Sequence, residues 1–367
     1  RYFANPLSAE AGDLDARFNG IAPAGQPVPP DLEESLNWCD VFIVHLLNRN
    51  AERLIRAAPA HVRVVWSGWG VDYQHFVAPD NGGLIDPECR RLVRGCGHYD
   101  LRFRLEYQTS AAARRLRLLL ARLQGTPGSL RRVDYFSAPI PEDYQLLKAA
   151  LGGRLRARYL QLNYASVEHT FARGADRVTG NNVLIGNSAT PTNNHATLLR
   201  QLAAGGLTEG QQVIVPLSYG PAWYRDAVLE LGQATLGERF VPLVDFMPVA
   251  EYNALVASCA TVIMNQRRQQ ALGNIGAALY QGARVFLNEQ SPCHDFFRSR
   301  GAVTSRVAEL DGRALADFPP LTPGQVEANR AMLYDFWGEK RIQRNIDTLL
   351  AQVARDTEIG ARKTGAE

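Results

Sequence analysis

Short apolar, β-branched runs recur along this chain, and each ends in a turn of small or polar residues that leads into helical spacing. Asp40–Leu47 and Val62–Ser67 read as buried parallel strands, because both are nearly all apolar and too short for core helices. A helical pattern over Asn50–Ala58 separates them. Val133–Ser137 and Tyr159–Leu162 are further strand candidates, and Ala111–Leu123 is a helix that stops at Gly125-Thr126-Pro127-Gly128. Over Phe171–Asn182 the chain turns polar and glycine-rich, as a linker does.

Beyond that linker the alternation is regular. Strands are expected at Val183–Ile185, Gln212–Pro216, Phe240–Leu243, Ala260–Asn265 and Val285–Asn288. Helices are expected between and after them at His195–Ala203, Ala222–Leu231, Val249–Ala257, Ile275–Gln281 and Cys293–Arg300. This spacing predicts βαβ units in a parallel sheet. Gln325–Trp337 and Lys340–Leu350 add closing helices. The fold expected is α/β, with two doubly wound, Rossmann-like domains. The first covers residues 1–175 and the second 176–322, with closing helices and tail over 323–367. Ligands of such sheets bind outside the carboxyl ends of the strands, here in a cleft between the domains.

At 367 residues and 46% hydrophobic, the chain is long enough for two cores. A net charge of +3 is too small to point to nucleic acid as a partner. Of the 40 basic residues only Lys148, Lys340 and Lys363 are lysines. Arginine forks suit phosphates, although genome composition gives the same bias. Cys39, Cys89, Cys96, Cys259 and Cys293 are scattered, without a C-x-x-C pair. That pattern argues against a disulfide framework and a structural zinc, and fits a reducing cytosol. No apolar run approaches the roughly 18–20 residues that span a bilayer, and no signal peptide is read. A soluble cytoplasmic protein is expected, able to touch a membrane surface. The sequence opens on Arg1, so a first strand and glycine turn of the N-terminal domain are expected upstream.

Two strand–turn–helix junctions carry the chemistry. Val183-Leu184-Ile185-Gly186-Asn187-Ser188 breaks from an apolar run into a small polar turn that reaches His195. Arg268-Gln269-Gln270-Ala271-Leu272-Gly273-Asn274-Ile275-Gly276 precedes another helix. Backbone N–H groups at a helix N-terminus are free for an anion such as a diphosphate, so a sugar-nucleotide enzyme is the leading reading. Asn187 and Ser188 can reach phosphate oxygens or simply form a turn. Asn193, Asn194 and His195 either cap the helix or touch the pyrophosphate. Gln269 and Gln270 can satisfy sugar hydroxyls or an acetamido group, Gly273 lets backbone approach phosphate, and Arg268 can neutralise a leaving diphosphate, or the segment through Asn274 is simply a polar loop leading to a helix. Tyr219, at a strand end, either hydrogen-bonds the donor or packs under a turn.

In the first half, Asp72 follows a buried strand. It can act as a base toward an acceptor hydroxyl, as an N-cap, or as an orienting group. His45 lies near the end of its strand, either as a second candidate base or as a core residue. Arg114, Arg115, Arg117 and Arg122 share one arc of the helix Ala111–Leu123. That face can bind anionic headgroups, or merely be the wet side of a packed helix. No D-x-D pair or His/Asp/Glu cluster at metal spacing is present, so neither a metal nor any other cofactor is expected.

The segments GNSATPTNNH, VIVPLSYG, FMPVAEYNAL and RQQALGNIGAALYQGARVFLN together resemble glycosyltransferase family 56, the 4-acetamido-4,6-dideoxygalactose transferases of enterobacterial common antigen synthesis. The resemblance covers roughly Val183–Ser305, and more thinly His45–Phe76. It implies a GT-B-like architecture of two Rossmann-like domains facing a central cleft, with the donor base held near Phe246, Met247 and Tyr252. It implies transfer of an aminodideoxyhexose from a dTDP-sugar to a polyprenyl-diphosphate-linked saccharide, without metal, at the cytoplasmic membrane face. On this reading the donor residues are Asn187, Ser188, Asn193, His195, Tyr219, Phe246, Met247, Tyr252, Arg268, Gln269, Gln270, Gly273 and Asn274, and the catalytic ones are Asp72 and His45. A UDP- or GDP-sugar donor on the same fold, or a non-catalytic sugar-nucleotide or glycan-binding module, are the alternatives.

Overall fold

The computed structural model describes residues 30–77, 83–107, 126–162, 165–172 and 174–364. As far as these reach, the chain divides into two compact units. The first comprises Arg1–Tyr73, Leu118–Leu162 and Ile346–Glu367, and the second Gln74–Arg117 and Asn163–Asn345.

The first unit holds a parallel sheet of β1 (Val41–His45), β2 (Arg63–Ser67), β3 (Tyr135–Ser137) and β4 (Arg158–Tyr159), in that order. His45 pairs with Ser67, so β1 and β2 end level. Parallel strands buried on both faces need continuous apolar runs; Val64, Val65 and Trp66 of β2 have no exposed surface. Trp66 meets Phe136 edge-on at 4.6 Å and Tyr73 at 6.0 Å. The helix Arg49–Ala57 begins where Asn48 Oδ1 accepts the Ala51 N–H at 2.9 Å, which satisfies one of the donors that every helix start leaves unpaired. From Ile346 onward, the long helix Glu339–Thr364 belongs to this unit. It buries Leu349 and Val353 against Val65 and Tyr135, and its Asp356 meets the Tyr135 hydroxyl and the Arg158 guanidinium.

The second unit is built on a six-stranded parallel sheet of β5 (Asn182–Ile185), β6 (Val213–Pro216), β7 (Phe240–Leu243), β8 (Cys259–Met264), β9 (Arg284–Leu287) and β10 (Ser305–Arg306). Their spatial order is β10-β9-β8-β5-β6-β7. The chain runs outward from β5 through β6 to β7, then returns to β8 on the other side of β5. This reversal opens a crevice at the carboxyl ends of β5 and β8, where doubly wound sheets bind their ligands.

The unit boundaries differ from those read in the sequence. Residues 83–107 pack with the second unit: Leu84, Ile85, Cys89 and Val93 are fully buried in one core with Val183, Ile185, Leu198 and Val213. The helix Pro87–Gly95 starts at Asp86, whose Oδ1 accepts the Cys89 N–H at 2.8 Å. Asp86 Oδ2 accepts the Thr197 hydroxyl, and the Asp86 N–H donates to Asn194 Oδ1 at 2.8 Å. Positions 175 and 322 therefore fall inside the second unit. An apolar helix face shows that something covers it, but not which sheet. The expected helix Ala111–Leu123, with its four arginines, lies outside the described residues.

Candidate functional site

The site is built on the turn that leaves β5. Gly186 stands at φ 67°, and a Cβ there would lie 2.6 Å from His195 Nε2, so only glycine turns so closely over the imidazole. Asn193, fully buried, then holds the loop from within. Its Oδ1 accepts the Asn187 N–H at 3.1 Å and Gln266 Nε2–H at 2.7 Å. Its Nδ2 donates to the Ser188 carbonyl at 2.8 Å and the Thr190 hydroxyl at 2.9 Å. Gln270 ties the second junction to the first. Its Oε1 accepts the Thr192 hydroxyl at 2.8 Å, and its Nε2 donates to Asn187 Oδ1 at 2.8 Å. A buried polar group left unmet costs about 1–3 kcal/mol, so this mutual pairing holds the loop in one shape.

Above it lies a cavity of about 260 Å³. Asn187, Tyr219, Phe246, Met247, Tyr252 and Asn274, all singled out in the sequence, line it together. Tyr219 is 49% and Phe246 77% exposed, and their rings lie 12° from parallel with centroids 6.5 Å apart. Asn274 Nδ2 donates to the Tyr252 hydroxyl at 2.9 Å. Burial pushes that phenol up to about 12, against the pull of the Asn274 bond, so it is neutral. Asn274 sits in the first turn of the helix Leu272–Gln281, where the backbone N–H groups have no helical partner and the dipole is positive. Gly273 is exposed beside it, and a Cβ there would meet nothing within 4 Å.

The remaining expected donor residues do not line the cavity. Ser188, Asn193 and His195 are buried beneath the turn. His195 Nδ1 lies 3.2 Å from the Tyr224 hydroxyl, and burial pulls its pKa down to about 3, so the ring is neutral. Gln269 and Gln270 are also buried, whereas Arg268 is half-buried, with Nη1 donating to the Gln269 carbonyl at 2.9 Å. Thr192, Gln266 and Asp245 were not singled out in the sequence. The first two hold the amide network, and Asp245 lines the cavity. Gln266 and Asp245 each follow the end of a parallel strand, and that position was the available signal. Among the described residues no group of three His, Cys, Asp or Glu side chains comes together as a metal site, and no helix is long and apolar enough to cross a membrane.

In the first unit, Asp72 Oδ2 accepts the Leu47 N–H at 3.0 Å and the Trp66 indole N–H at 2.8 Å, while Oδ1 accepts the Trp69 N–H at 3.0 Å. These three bonds organise the ends of β1 and β2 and leave one acceptor site of the carboxylate, on Oδ1, open. The sequence could not reveal this, because two of the three donors are backbone groups. His45 is exposed at the carboxyl end of β1, and partial burial lowers its pKa.

Solved structures share this architecture. The sucrose-phosphate synthase of Thermosynechococcus elongatus is 11% identical with a TM-score of 0.62, over 96% of this chain and 88% of its own. The N-terminal domain of Candida albicans trehalose-6-phosphate phosphatase is 10% identical with a TM-score of 0.55, over 88% and 72%. The UDP-forming alpha,alpha-trehalose-phosphate synthase of Burkholderia xenovorans is 10% identical with a TM-score of 0.53, over 88% and 77%. At such identities the likeness shows the fold, which is of the GT-B type. Of two other matched structures the chain spans only 56% and 59% of the length. No curated protein matches the chain significantly. The family model described as 4-alpha-L-fucosyltransferase, glycosyl transferase group 56, matches residues 98–311. That is more than half of the sequence, and the chain therefore belongs to this family of glycosyltransferases.

Proposed function

We propose that the chain transfers an aminodideoxyhexose, of the 4-acetamido-4,6-dideoxygalactose kind, from a dTDP-sugar to a polyprenyl-diphosphate-linked saccharide at the cytoplasmic face of a membrane. The observation that carries the donor side is the cavity at the carboxyl ends of β5 to β7. Two exposed, near-parallel aromatic rings flank it, and a helix N-terminus adjoins it. A planar base stacks on Tyr219 and Phe246. The diphosphate meets the first-turn N–H groups of Leu272–Gln281 and the Arg268 guanidinium, which together neutralise the departing charge without a metal. Asn274 and the turn at Asn187 then face the sugar. The family's description as a fucosyltransferase, a carrier of a 6-deoxyhexose, supports a deoxyhexose donor.

One observation favours a second reading. Asp245 lines the same cavity, and a carboxylate there rewards ribose hydroxyls, of which a deoxyribonucleotide has fewer. A UDP- or GDP-sugar donor is the corresponding alternative. Calorimetric titration with dTDP, UDP and GDP, without and then with Mg²⁺, decides between them. Metal-independent preference for dTDP supports the first reading, and preference for a ribonucleotide moves the assignment to the second. Binding of none overturns the donor site and leaves a non-catalytic glycan-binding role.

A further inference from the structure

Where β1 and β2 end side by side, the Trp69 indole N–H donates to His45 Nδ1 at 3.4 Å. The two rings stand at 88° with centroids 6.3 Å apart, an edge-on approach. A ring nitrogen that accepts a hydrogen bond carries no proton, so neutral His45 keeps its proton on Nε2. Trp69 is itself held by Asp72, whose Oδ1 accepts its backbone N–H while Oδ2 accepts the Leu47 N–H. Between His45 and Leu47, Leu46 stands at φ 64°. A leucine adopts that conformation only where its surroundings impose it, and such strain gathers at functional positions. The Asp72 carboxylate thus fixes both His45, through the turn after β1, and its indole partner.

Resting on the reading of the chain as a sugar transferase, we propose that His45 meets an acceptor saccharide as a hydrogen-bond donor through Nε2–H, and that Trp69 is the positioning residue that fixes this tautomer. The half-exposed Trp69 indole and Val71 beside it, at 50% and 51% exposure, offer an apolar shelf for the C–H face of a sugar ring. Nε2–H then points an acceptor oxygen without removing its proton, because the Nε2 lone pair is absent in this tautomer. This is the reverse of the base role expected from the sequence.

The test needs no nucleotide. In the full chain with isotope-labelled histidine, nuclear magnetic resonance should show His45 as the Nε2–H tautomer, its signal identified by its loss in His45→Gln. Trp69→Phe should admit the Nδ1–H form. A proton on Nδ1 in the unsubstituted protein, or a tautomer indifferent to Trp69→Phe, overturns the assignment. N-acetylglucosamine, as a saccharide probe, should shift the Nε2 resonance and leave the tautomer unchanged. No shift, or a switch to Nδ1–H, overturns the saccharide-facing role. Neither signal depends on nucleotide binding, so failure here and failure of the donor site are separately visible.

Discussion

Asn187 donates its side-chain N–H to the Tyr219 hydroxyl over 2.8 Å, which ties the turn after β5 to the turn after β6. The orientation of an exposed ring is thereby set by the same amide network that shapes the loop beneath it. Tyr219→Phe keeps the ring and loses only this bond, a net ~0.5–1.5 kcal/mol. Nucleotide affinity should then fall by less than about tenfold. Tyr219→Ala and Phe246→Ala remove stacking surface worth ~1–3 kcal/mol and should cost more. Calorimetry on the three variants would refute the stacking role if Phe and Ala at position 219 behaved alike.

Gln270 uses both ends of its amide internally, accepting from Thr192 and donating to Asn187. Gln270→Ala removes both bonds, each worth a net ~0.5–1.5 kcal/mol, while the Thr192 hydroxyl keeps Thr190 and Asn187 Oδ1 keeps Gln266 Nε2. Thermal unfolding should register this loss with no nucleotide present. An unchanged melting temperature would mean that the network does not hold the loop.

Three glycines near the site should respond differently to alanine. Gly186→Ala drives a Cβ to 2.6 Å from His195 Nε2, and Gly220→Ala, at φ 125°, drives one to 2.3 Å from the Ala189 carbonyl oxygen. Each should destabilise by at least ~1–3 kcal/mol. Gly273→Ala meets no protein atom, so it should melt like the unsubstituted protein and lower only the affinity for a diphosphate. Equal loss of stability in all three would contradict this division.

His195 links stability to pH. Its folded pKa, about 3, lies below the ordinary value of 6.5 because burial opposes its charge. The unfolded chain therefore takes up a proton that the folded chain refuses. The associated stability is complete above pH 6.5 and is lost as the pH falls toward about 3. His195→Gln should flatten this limb in a pH series of denaturant titrations, even if it lowers stability near neutrality. An unaltered slope would show that His195 is not the group involved.

Asp356 acts in the same direction at lower pH. Burial alone would raise its carboxyl, but the Tyr135 hydroxyl and the Arg158 guanidinium outweigh burial and hold it below its ordinary value. Its contribution is present above the unfolded carboxyl value of 3.8 and disappears as the pH drops through the lowered one. Asp356→Asn should lower the melting temperature near neutrality and converge with the unsubstituted protein in acid. A constant difference across the pH series would argue that packing, not charge, is lost.

Five of the six strands of the second unit were within reach of the sequence, because each is an apolar run bounded by a polar turn, whereas Ser305–Arg306 and the order in which the strands pair were not. The same junctions pointed to six of the residues that line the cavity, though not to Asp245. What escaped was anything decided by who pairs with whom. The run Thr190-Pro191-Thr192-Asn193-Asn194-His195 reads as a wet surface turn, yet Thr192, Asn193, Asn194 and His195 are at most 1% exposed. Their polar groups are largely satisfied by one another and by backbone, which pattern alone does not reveal. The engagement of Asp72 escaped for the same reason. The helix Pro87–Gly95 was missed because an amphipathic segment of this length carries no address for the sheet it covers.

The order in which the chain visits its two units has a consequence for synthesis. It passes between them at 73/74, 117/118, 162/163 and 345/346. Every residue of the second unit has been synthesised by Asn345, and the last strand of its sheet, Ser305–Arg306, well before that, so the sheet can close while translation continues. The first unit begins first and finishes last, because Leu349, Val353 and Asp356 arrive only at the end. Until they do, Val65 and Tyr135 lack that cover, and the nascent chain carries an apolar patch of the kind that chaperones hold. A chain stopped near Asn345 would thus carry a finished second unit and a first unit without the cover of Leu349 and Val353, a poor candidate for escape from proteolysis.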